Sequence, residues 1–283
     1  MISYLNIKKN EYRPTVYGFL YSFLIVSFFI LSKSFRDSLF LNNFTKEDLS
    51  YLYLITPIIT GFLVWFFLLL LNRFSLTIKS IVVHIFVCFI ASVLLLNPTQ
   101  NSIFLYYIFV EFQISIIAIL FWDVLSESFT NRQAKRLFVI ITSGGFLSAL
   151  IVGSSLSYVS QWIPQDKFVL GFNFLIILCP GLIYLLIKSS FKKSEINVQS
   201  NNTEVLLKDI FKNKYILNII FITFIFSIIS VIIDYNFKIL SFDKFQDNPL
   251  ELTNYFAKFY SITSFISFVM QLTLSGFIIN RFG

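Results

Sequence analysis

The residue with the most demanding chemistry in this sequence is Glu111, which lies in the middle of a long apolar stretch. Its nearest charged neighbour is Asp123, twelve residues further along the chain. A carboxylate at the centre of a membrane helix costs about 2.5 to 3.5 kcal/mol on insertion scales. We therefore expect Glu111 to face protein or water, where it binds a ligand or carries a proton. The alternative is a protonated carboxyl group that is hydrogen-bonded inside a helix bundle.

Two cationic residues, Arg36 and Lys238, each follow a phenylalanine at the end of an apolar stretch. Arginine binds phosphate or carboxylate through a two-pronged fork, and lysine binds them as a point charge. We predict that these residues, with Asp234 beside Lys238, form a site for an anionic group. The alternative is that both cations snorkel to the membrane surface, where Asp37 and Asp234 are their solvated partners.

The two cations occupy equivalent places in an internal repeat. The segment after Arg36 ends on Asn72-Arg73-Phe74-Ser75, and the segment after Lys238 ends on Asn280-Arg281-Phe282-Gly283, 208 residues later. Self-similarity at a fixed period predicts two copies of one structural unit. Two parallel copies in a membrane protein are typical of transporters that bind their substrate between the halves.

Composition assigns the chain to the membrane. Hydrophobic residues make up 57% of it and charged residues 13%, whereas soluble domains contain about 25% charged residues. This excludes a soluble globular protein and predicts the lipid bilayer as a partner. The net charge of +7 does not imply a nucleic-acid partner, because membrane proteins concentrate basic residues in their cytoplasmic loops.

Eight apolar stretches are long enough to cross a bilayer of ~30 Å. We therefore predict an all-α, polytopic membrane helix bundle with a parallel pseudo-twofold repeat. It would consist of a six-helix bundle over residues 1–188, a cytoplasmic linker over 189–214 and the first two helices of a second, incomplete bundle over 215–283. The predicted spans are approximately 16–33, 52–71, 79–96, 103–122, 137–160, 168–188, 215–233 and 254–280.

Several further residues are predicted to pack or gate this bundle. Gly145, Ala149, Gly153 and Ser157 recur every four residues, a spacing that lets two membrane helices approach closely. The segment 123–136 is expected to form a surface loop with a short helix, either as an anchor or as a gate between the halves. The charged residues assigned a gating or structural role are Asp37, Arg73, Asp123, Lys135, Arg136 and Arg281.

Enzyme activity, a metal site and a cofactor are not predicted. His84 is the only histidine, and Cys88 and Cys179 both lie inside apolar stretches. None of the three lies at a spacing typical of metal ligands. We expect all three to be core residues.

Six helices, a cytoplasmic linker and a second copy resemble the plan of the major facilitator superfamily. The segment Gly276-x-x-x-Asn280-Arg281-x-Gly283 is similar to the Gly-x-x-x-Asp-Arg-x-Gly loop that follows the second helix of each half in that superfamily. In the first copy Leu68 and Ser75 replace the glycines. The resemblance implies about twelve helices in all, so the chain is expected to stop before helix 9. It also implies that helices 1 and 7 face each other.

One family shares more of the pattern. Glu111, Phe121-Trp122 and Ala134-Lys135-Arg136 follow one another at the spacing of the ATP/ADP translocases of plastids and intracellular bacteria. Arg36-Asp37 resembles that family's Lys-Asp pair after helix 1, and the segment 234–238 resembles its Glu-Val-Thr-Trp-Lys. The resemblance implies an antiporter that moves a small organic anion by alternating access, with a nucleotide such as ATP or ADP as the candidate.

Two substitutions bear on the substrate. Arg36 stands where the family has lysine and Asp234 where it has glutamate, so that charge is kept while shape changes. An anionic or zwitterionic substrate is therefore implied. The alternative function is a non-transporting membrane anchor or sensor derived from such a transporter.

The distribution of basic residues predicts the orientation of the chain. Of the 22 lysines and arginines, 15 fall on the side of the N-terminus and seven on the other side. Cytoplasmic loops carry the excess of basic residues. We therefore predict a protein of the cytoplasmic membrane with a cytoplasmic N-terminus.

Labelling of single cysteines in intact cells tests this topology. A membrane-impermeant thiol reagent should label Asn248→Cys, in the predicted outer loop, and should leave Asn201→Cys, in the predicted cytoplasmic linker, unlabelled. Labelling of Asn201→Cys alone would reverse the orientation.

Overall fold

Long helices account for nearly all of the chain that the computed structural model describes, which is residues 7–96, 99–159, 173, 175–190, 213–245 and 249–282. No strand occurs in these ranges, so the prediction of an all-α bundle is confirmed. After a single 3-10 turn, the helices are α1 (Tyr12–Asn43), α2 (Lys46–Leu71), α3 (Leu76–Leu96), α4 (Gln100–Ser128), α5 (Asn131–Val159), α6 (Cys179–Ser189), α7 (Lys214–Lys244) and α8 (Pro249–Phe282).

Six of the described helices, α1 to α5 and α7, are long and apolar enough to cross a bilayer. The predicted span 254–280 lies within α8. In the predicted span 168–188 the structure describes residues 173 and 175–188, and α6 covers its second half. Most of the predicted linker 189–214 lies outside the described residues. The number, length and composition of these helices are compatible with a membrane protein.

Side-chain caps determine where three of the helices begin. The Thr45 hydroxyl accepts a hydrogen bond from the Asp48 N–H, and the Asp48 carboxylate accepts one from the Thr45 N–H. This reciprocal pair satisfies two backbone donors that the first turn of a helix leaves free. Thr99 begins α4 and Asn213 begins α7 by the same kind of side-chain acceptor. The helices therefore begin directly after short polar connections.

Both helices that carry the predicted cations are longer than expected. Helix α1 continues past Arg36 to Asn43, and α7 continues past Lys238 to Lys244. The prediction that these cations end their helices is therefore wrong. Loss of hydropathy does not end a helix, because the backbone hydrogen bonds continue wherever side chains can be satisfied. With about 1.5 Å per residue, each cation lies roughly 10 Å inside its helix.

The segment 123–136 does not form a surface loop with its own short helix. Helix α4 runs through Asp123 to Ser128, and α5 begins at Asn131. Only Phe129 and Thr130 separate them, so the charged residues of this segment lie on the ends of two long helices. The prediction of a separate short helix in a surface loop is wrong, because the polar residues at the end of α4 and the start of α5 were interpreted as a loop between helices.

Helix α1 lies at the centre of the described bundle and packs against α4, α5, α6 and α8. It contributes Tyr21, Ile25 and Phe28 to the largest hydrophobic cluster, which residues of α2 to α6 complete. A second cluster around Phe40 and Phe256 joins α1 to α2, α4 and α8. Helix α1 therefore connects both parts of the core.

The outer surface is apolar, as expected for contact with lipid. Phe221 and Phe226 on α7 are 63% and 72% exposed, and Ile58 and Phe62 on α2 are 75% and 60% exposed. Exposed apolar surface on this scale is unusual in soluble monomers. These helices are therefore suited to a lipid bilayer.

Small residues on α5 lie where other helices approach closely. A Cβ atom on Gly145 would lie 2.7 Å from Val26 Cγ2 of α1, and a Cβ on Gly153 would lie 2.6 Å from the Ala257 carbonyl oxygen of α8. Ala149, between the two glycines, is fully buried. The Ser157 side chain lies outside the described part. This face of α5 packs on α1 at one end and on α8 at the other.

Substitution of Gly153 tests the contact between α5 and α8. Gly153→Ala should lower the free energy of unfolding by about 1 to 3 kcal/mol, because the added methyl group meets the backbone of α8. The control is Gly181→Ala on α6, where a Cβ would meet nothing within 4 Å; this change should be neutral or stabilising by up to about 1 kcal/mol. Thermal unfolding in detergent measures both, and equal stability of the two variants would contradict the packing.

Candidate functional site

Ionisable side chains from three helices meet inside the bundle. We call them the charge cluster: Lys33, Arg36 and Asp37 on α1, Glu111 on α4, and Asp234 and Lys238 on α7.

The Arg36 guanidinium contacts two carboxylates and one aromatic ring. Its Nε donates a hydrogen bond to Asp37 Oδ1 at 2.9 Å, and its Nη1 donates to Glu111 Oε1 at 2.5 Å. Nη2 lies 2.7 Å from Asp37 Oδ1 without the alignment of a hydrogen bond. The guanidinium carbon lies 4.1 Å from the Tyr107 ring centroid, a cation–π distance. Arg36 is 1% exposed, so it does not snorkel to the surface.

The Lys238 ammonium group is surrounded by three oxygen atoms. Its Nζ lies 3.0 Å from Asp234 Oδ2, 3.1 Å from Asp37 Oδ2 and 3.3 Å from the Tyr107 hydroxyl. The ammonium group donates a hydrogen bond to the Tyr107 hydroxyl, and the two carboxylates balance its charge. Lys238 is 1% exposed and, like Arg36, does not reach the surface.

Ion pairs join α1 to α7. Lys33 contacts Asp234 at 3.4 Å, and Asp37 contacts Lys238 at 3.1 Å. The two residues on each helix are four positions apart and lie on one face. Because the lower-numbered residues pair with each other and the higher-numbered residues do the same, α1 and α7 run in the same direction here. The expected meeting of helices 1 and 7 is therefore present, while the repeat itself stays a prediction.

The cluster is electrically balanced. Its three cations, Lys33, Arg36 and Lys238, face three carboxylates, Asp37, Glu111 and Asp234. Burial of an ion costs several kcal/mol unless opposite charges and hydrogen bonds compensate for the lost water. Each buried cation here contacts two carboxylates, so the network compensates for its own desolvation.

A cavity of about 670 Å³ adjoins the cluster. The charged residues in its wall are Lys33, Glu111 and Asp234, whereas Arg36 and Lys238 lie behind the wall. The rest of the lining is hydroxyl-bearing, aromatic or small and comes mainly from α2, with contributions from α4 and α7: Tyr53, Thr56, Pro57, Thr60, Gly61, Val64, Tyr107, Ser115, Ser230 and Val231.

Helix α2 closes one side of the site. The Tyr53 hydroxyl donates to Asp234 Oδ2 at 2.5 Å, and its ring centroid lies 5.0 Å from Lys238 Nζ. Tyr53 therefore holds one carboxylate and one cation of α7 at once. Pro57, one turn further along α2, lines the cavity. It has no backbone N–H to complete the helix there, so α2 has a local weak point beside the site.

The other residues with a predicted gating role do not belong to the charge cluster. Arg136 Nη2 donates to Glu11 Oε1 at 2.9 Å, so it ties the start of α5 to the turn before α1. This pair lies within the predicted first bundle and does not join the two halves. Arg73, Asp123 and Lys135 are exposed. The Arg281 side chain lies outside the described part of the chain.

The predicted core residues have core surroundings. His84 is fully buried, and its Nδ1 lies 2.7 Å from the Ser80 carbonyl oxygen, one helical turn away. Cys88 and Cys179 are free thiols and are both buried. None of the three contacts the charge cluster.

Sequence reasoning missed Lys33, Tyr53, Tyr107 and Glu11. The sequence does contain a pattern that could have indicated Lys33, because Lys33 and Asp37 are four residues apart, as are Asp234 and Lys238. No such pattern indicates the tyrosines, since aromatic residues occur throughout these apolar stretches and only the packing selects two of them.

A pair of variants tests the coupling inside the cluster. Lys238→Met alone should lower the free energy of unfolding by about 3 to 5 kcal/mol, because it leaves a buried carboxylate without its cation. Lys238→Met combined with Asp37→Asn leaves two complete pairs, Arg36 with Glu111 and Lys33 with Asp234, so the double variant should regain much of that loss. Thermal unfolding in detergent provides the comparison. Additive losses in the double variant would show that Asp37 and Lys238 do not act as a pair.

Comparison with known proteins adds no relative to this description. No protein family, curated protein or solved structure matches the chain. The function must therefore be inferred from the membrane helices, the cavity and the charge cluster.

Proposed function

We propose that this chain is a membrane transporter, or the N-terminal part of one, that moves a small organic anion by alternating access. The observation that carries the proposal is the cavity of about 670 Å³ with charged walls among apolar helices. Ionisable groups within membrane helices are costly, and they mark substrate or ion pathways more often than packing.

The anion would be held by the cations of the cluster. In the described conformation Arg36 and Lys238 are occupied by carboxylates of the protein. Of these carboxylates, Glu111 lies in the cavity wall and its side chain is 35% exposed. An incoming anion would pair with Lys33 in the cavity wall or replace Glu111 on Arg36. Glu111 would then balance the remaining charge or take up a proton, which couples binding to exchange.

Alternating access requires contacts that differ between two conformations. The ion pairs between α1 and α7 suit this role, because they join the first predicted half to the second. Their separation would open the cavity along the interface of these helices, and their return would close it. The substrate anion would lower the free-energy cost of that separation, because it would pair with the cations that the movement exposes.

The substrate identity rests on the residues alone. The pattern around Glu111 and the pair Arg36-Asp37 resembles the ATP/ADP translocases, which makes nucleotides the first substrates to test. The cluster itself does not indicate which base or sugar a nucleotide would carry, because it consists of charged side chains and the tyrosines that contact them.

A second function is favoured by the charge balance. A network in which every cation already has a carboxylate could fasten α1 to α7 without ever binding a solute. The chain would then be a membrane anchor or sensor module, and the cavity would be a by-product of packing.

Uptake into liposomes distinguishes these functions. Arg36→Ala and Lys238→Ala should abolish uptake of labelled nucleotides or other phosphorylated and carboxylated metabolites, while Arg36→Lys should be the mildest change at that position because it keeps the charge. The double variant Arg36→Gln with Glu111→Gln keeps the cluster neutral, so it should fold better than Arg36→Ala and still fail to transport.

Lys244→Gln provides the matched control, because Lys244 is an exposed lysine in the last turn of α7 outside the cluster. It should transport normally. Normal uptake by variants that lack both Arg36 and Lys238 would refute the anion site. Absence of any uptake by the unaltered protein, together with the stabilities expected for the cluster, would support the anchor function.

A further inference from the structure

We infer that the substrate carries a cationic group as well as an anionic one, so that it is a zwitterion rather than a simple anion. The inference rests on the proposed transport function and concerns the same cavity. Its basis is the difference between the charges that line the cavity and the charges that lie behind its wall.

The cavity wall is not a cationic surface. It contains one cation, Lys33, and two carboxylates, Glu111 and Asp234. Arg36 and Lys238 are each 1% exposed and already contact carboxylates. The lining residues therefore carry one net negative charge, which Arg36, Lys238 and Asp37 behind the wall balance. A dianion finds no excess of positive charge there, whereas a ligand with a cationic donor finds a carboxylate in the wall.

Lys33 is the cation that an anionic group can reach. Its side chain is 32% exposed, and its contact with Asp234 Oδ1 is long, at 3.4 Å. Asp234 keeps Lys238 and the Tyr53 hydroxyl on its other oxygen when Lys33 turns away. An acidic group of the ligand can thus take Lys33 at little cost to the cluster.

Glu111 offers the complementary acceptor. Its Oε1 accepts from Arg36, and no hydrogen bond of its Oε2 is found among the described residues. A carboxylate oxygen in a cavity wall is a good partner for an ammonium donor. Ser115, one helical turn further along α4, lies in the same wall and can add a neutral hydroxyl contact.

Charge balance leads to the same class of ligand. The six charges of the cluster sum to zero. A simple anion adds an uncompensated charge between apolar helices, which is costly. A zwitterion leaves the sum at zero while it satisfies Lys33 at one end and Glu111 at the other. It also needs no separation of Glu111 from Arg36.

Ligands of matched length test this assignment on the purified full chain. The probes are 4-aminobutanoate, which has both charges, butanoate and succinate, which are anions, and 1,4-diaminobutane, which is a dication. ATP is added as the nucleotide probe. Binding is measured by calorimetry or by thermal stabilisation in detergent. We expect 4-aminobutanoate to bind at least about ten-fold more tightly than every other probe, since a charge-assisted hydrogen bond contributes about that factor or more.

Variants of the wall residues separate the two ends of the ligand. Lys33→Gln should weaken 4-aminobutanoate binding about ten-fold or more, and the matched surface variant Lys244→Gln should leave it unchanged. Glu111→Gln removes the negative charge that pairs with Arg36 and with the ammonium group of the ligand, so it should reverse the preference and favour butanoate over 4-aminobutanoate. A purely structural role of Glu111 would weaken all probes equally.

The possible failures point to different conclusions. Binding of succinate or ATP as tight as that of 4-aminobutanoate would overturn the zwitterion assignment and leave anion transport standing. Uptake of a proton together with butanoate would do the same, because protonation of Glu111 would then supply the missing positive charge. Absence of binding by every probe would overturn both the zwitterion assignment and the proposed transport function.

Discussion

The cost of placing charges inside a membrane protein governs the central part of this molecule. Six ionisable side chains lie within long apolar helices, and none of the buried cations could remain there without a carboxylate beside it. Arg36 and Lys238 meet this requirement by sharing Asp37, which places the two cations on either side of one acid. Because the acid is on α1 and one cation is on α7, neutralisation also fixes how these helices align.

The remainder of the described bundle holds α1 in position for this pairing. Glycines on α5 allow α1 and α8 to pack closely against it, and the Ser27 and Ser148 hydroxyls lie 2.7 Å apart across α1 and α5. Close approach of helices at small residues favours their association through van der Waals packing and hydrogen bonds. Helix α7, by contrast, is exposed along most of its length and meets the bundle mainly through its charged end. In this part of α7 the charge cluster and the packing of Phe237 on α8 together attach the helix to the described chain.

The all-α fold with long apolar helices and part of the charge cluster could be predicted from the sequence, because both follow from hydropathy. Apolar stretches of about twenty residues define membrane helices, and Arg36, Glu111, Asp234 and Lys238 attract notice because charge is expensive there. Helix ends were predicted less well. Helices α1 and α7 continue through polar and charged residues, because those side chains find ion-pair and hydrogen-bond partners on one face of each helix. The partner of Arg136 could not be predicted, because its contact with Glu11 depends on how distant helix ends converge. Which charged residues line the cavity and which are buried behind its wall also could not be predicted from the sequence, because this depends on how the helices pack.

The proposed function depends on a charge-lined cavity between the apolar helices that water can enter, and thiol reactivity tests whether such a cavity exists. In a variant without Cys88 and Cys179, a cysteine is placed at Ser115, in the cavity wall, or at Ile117, which is fully buried on the same helix. Charged methanethiosulfonate reagents react with thiolates that water can reach. We expect rapid modification of the Ser115→Cys protein in membranes and no modification of the Ile117→Cys protein. Failure of the reagent to modify Ser115→Cys, or equal modification of both variants, would show that water does not enter such a cavity.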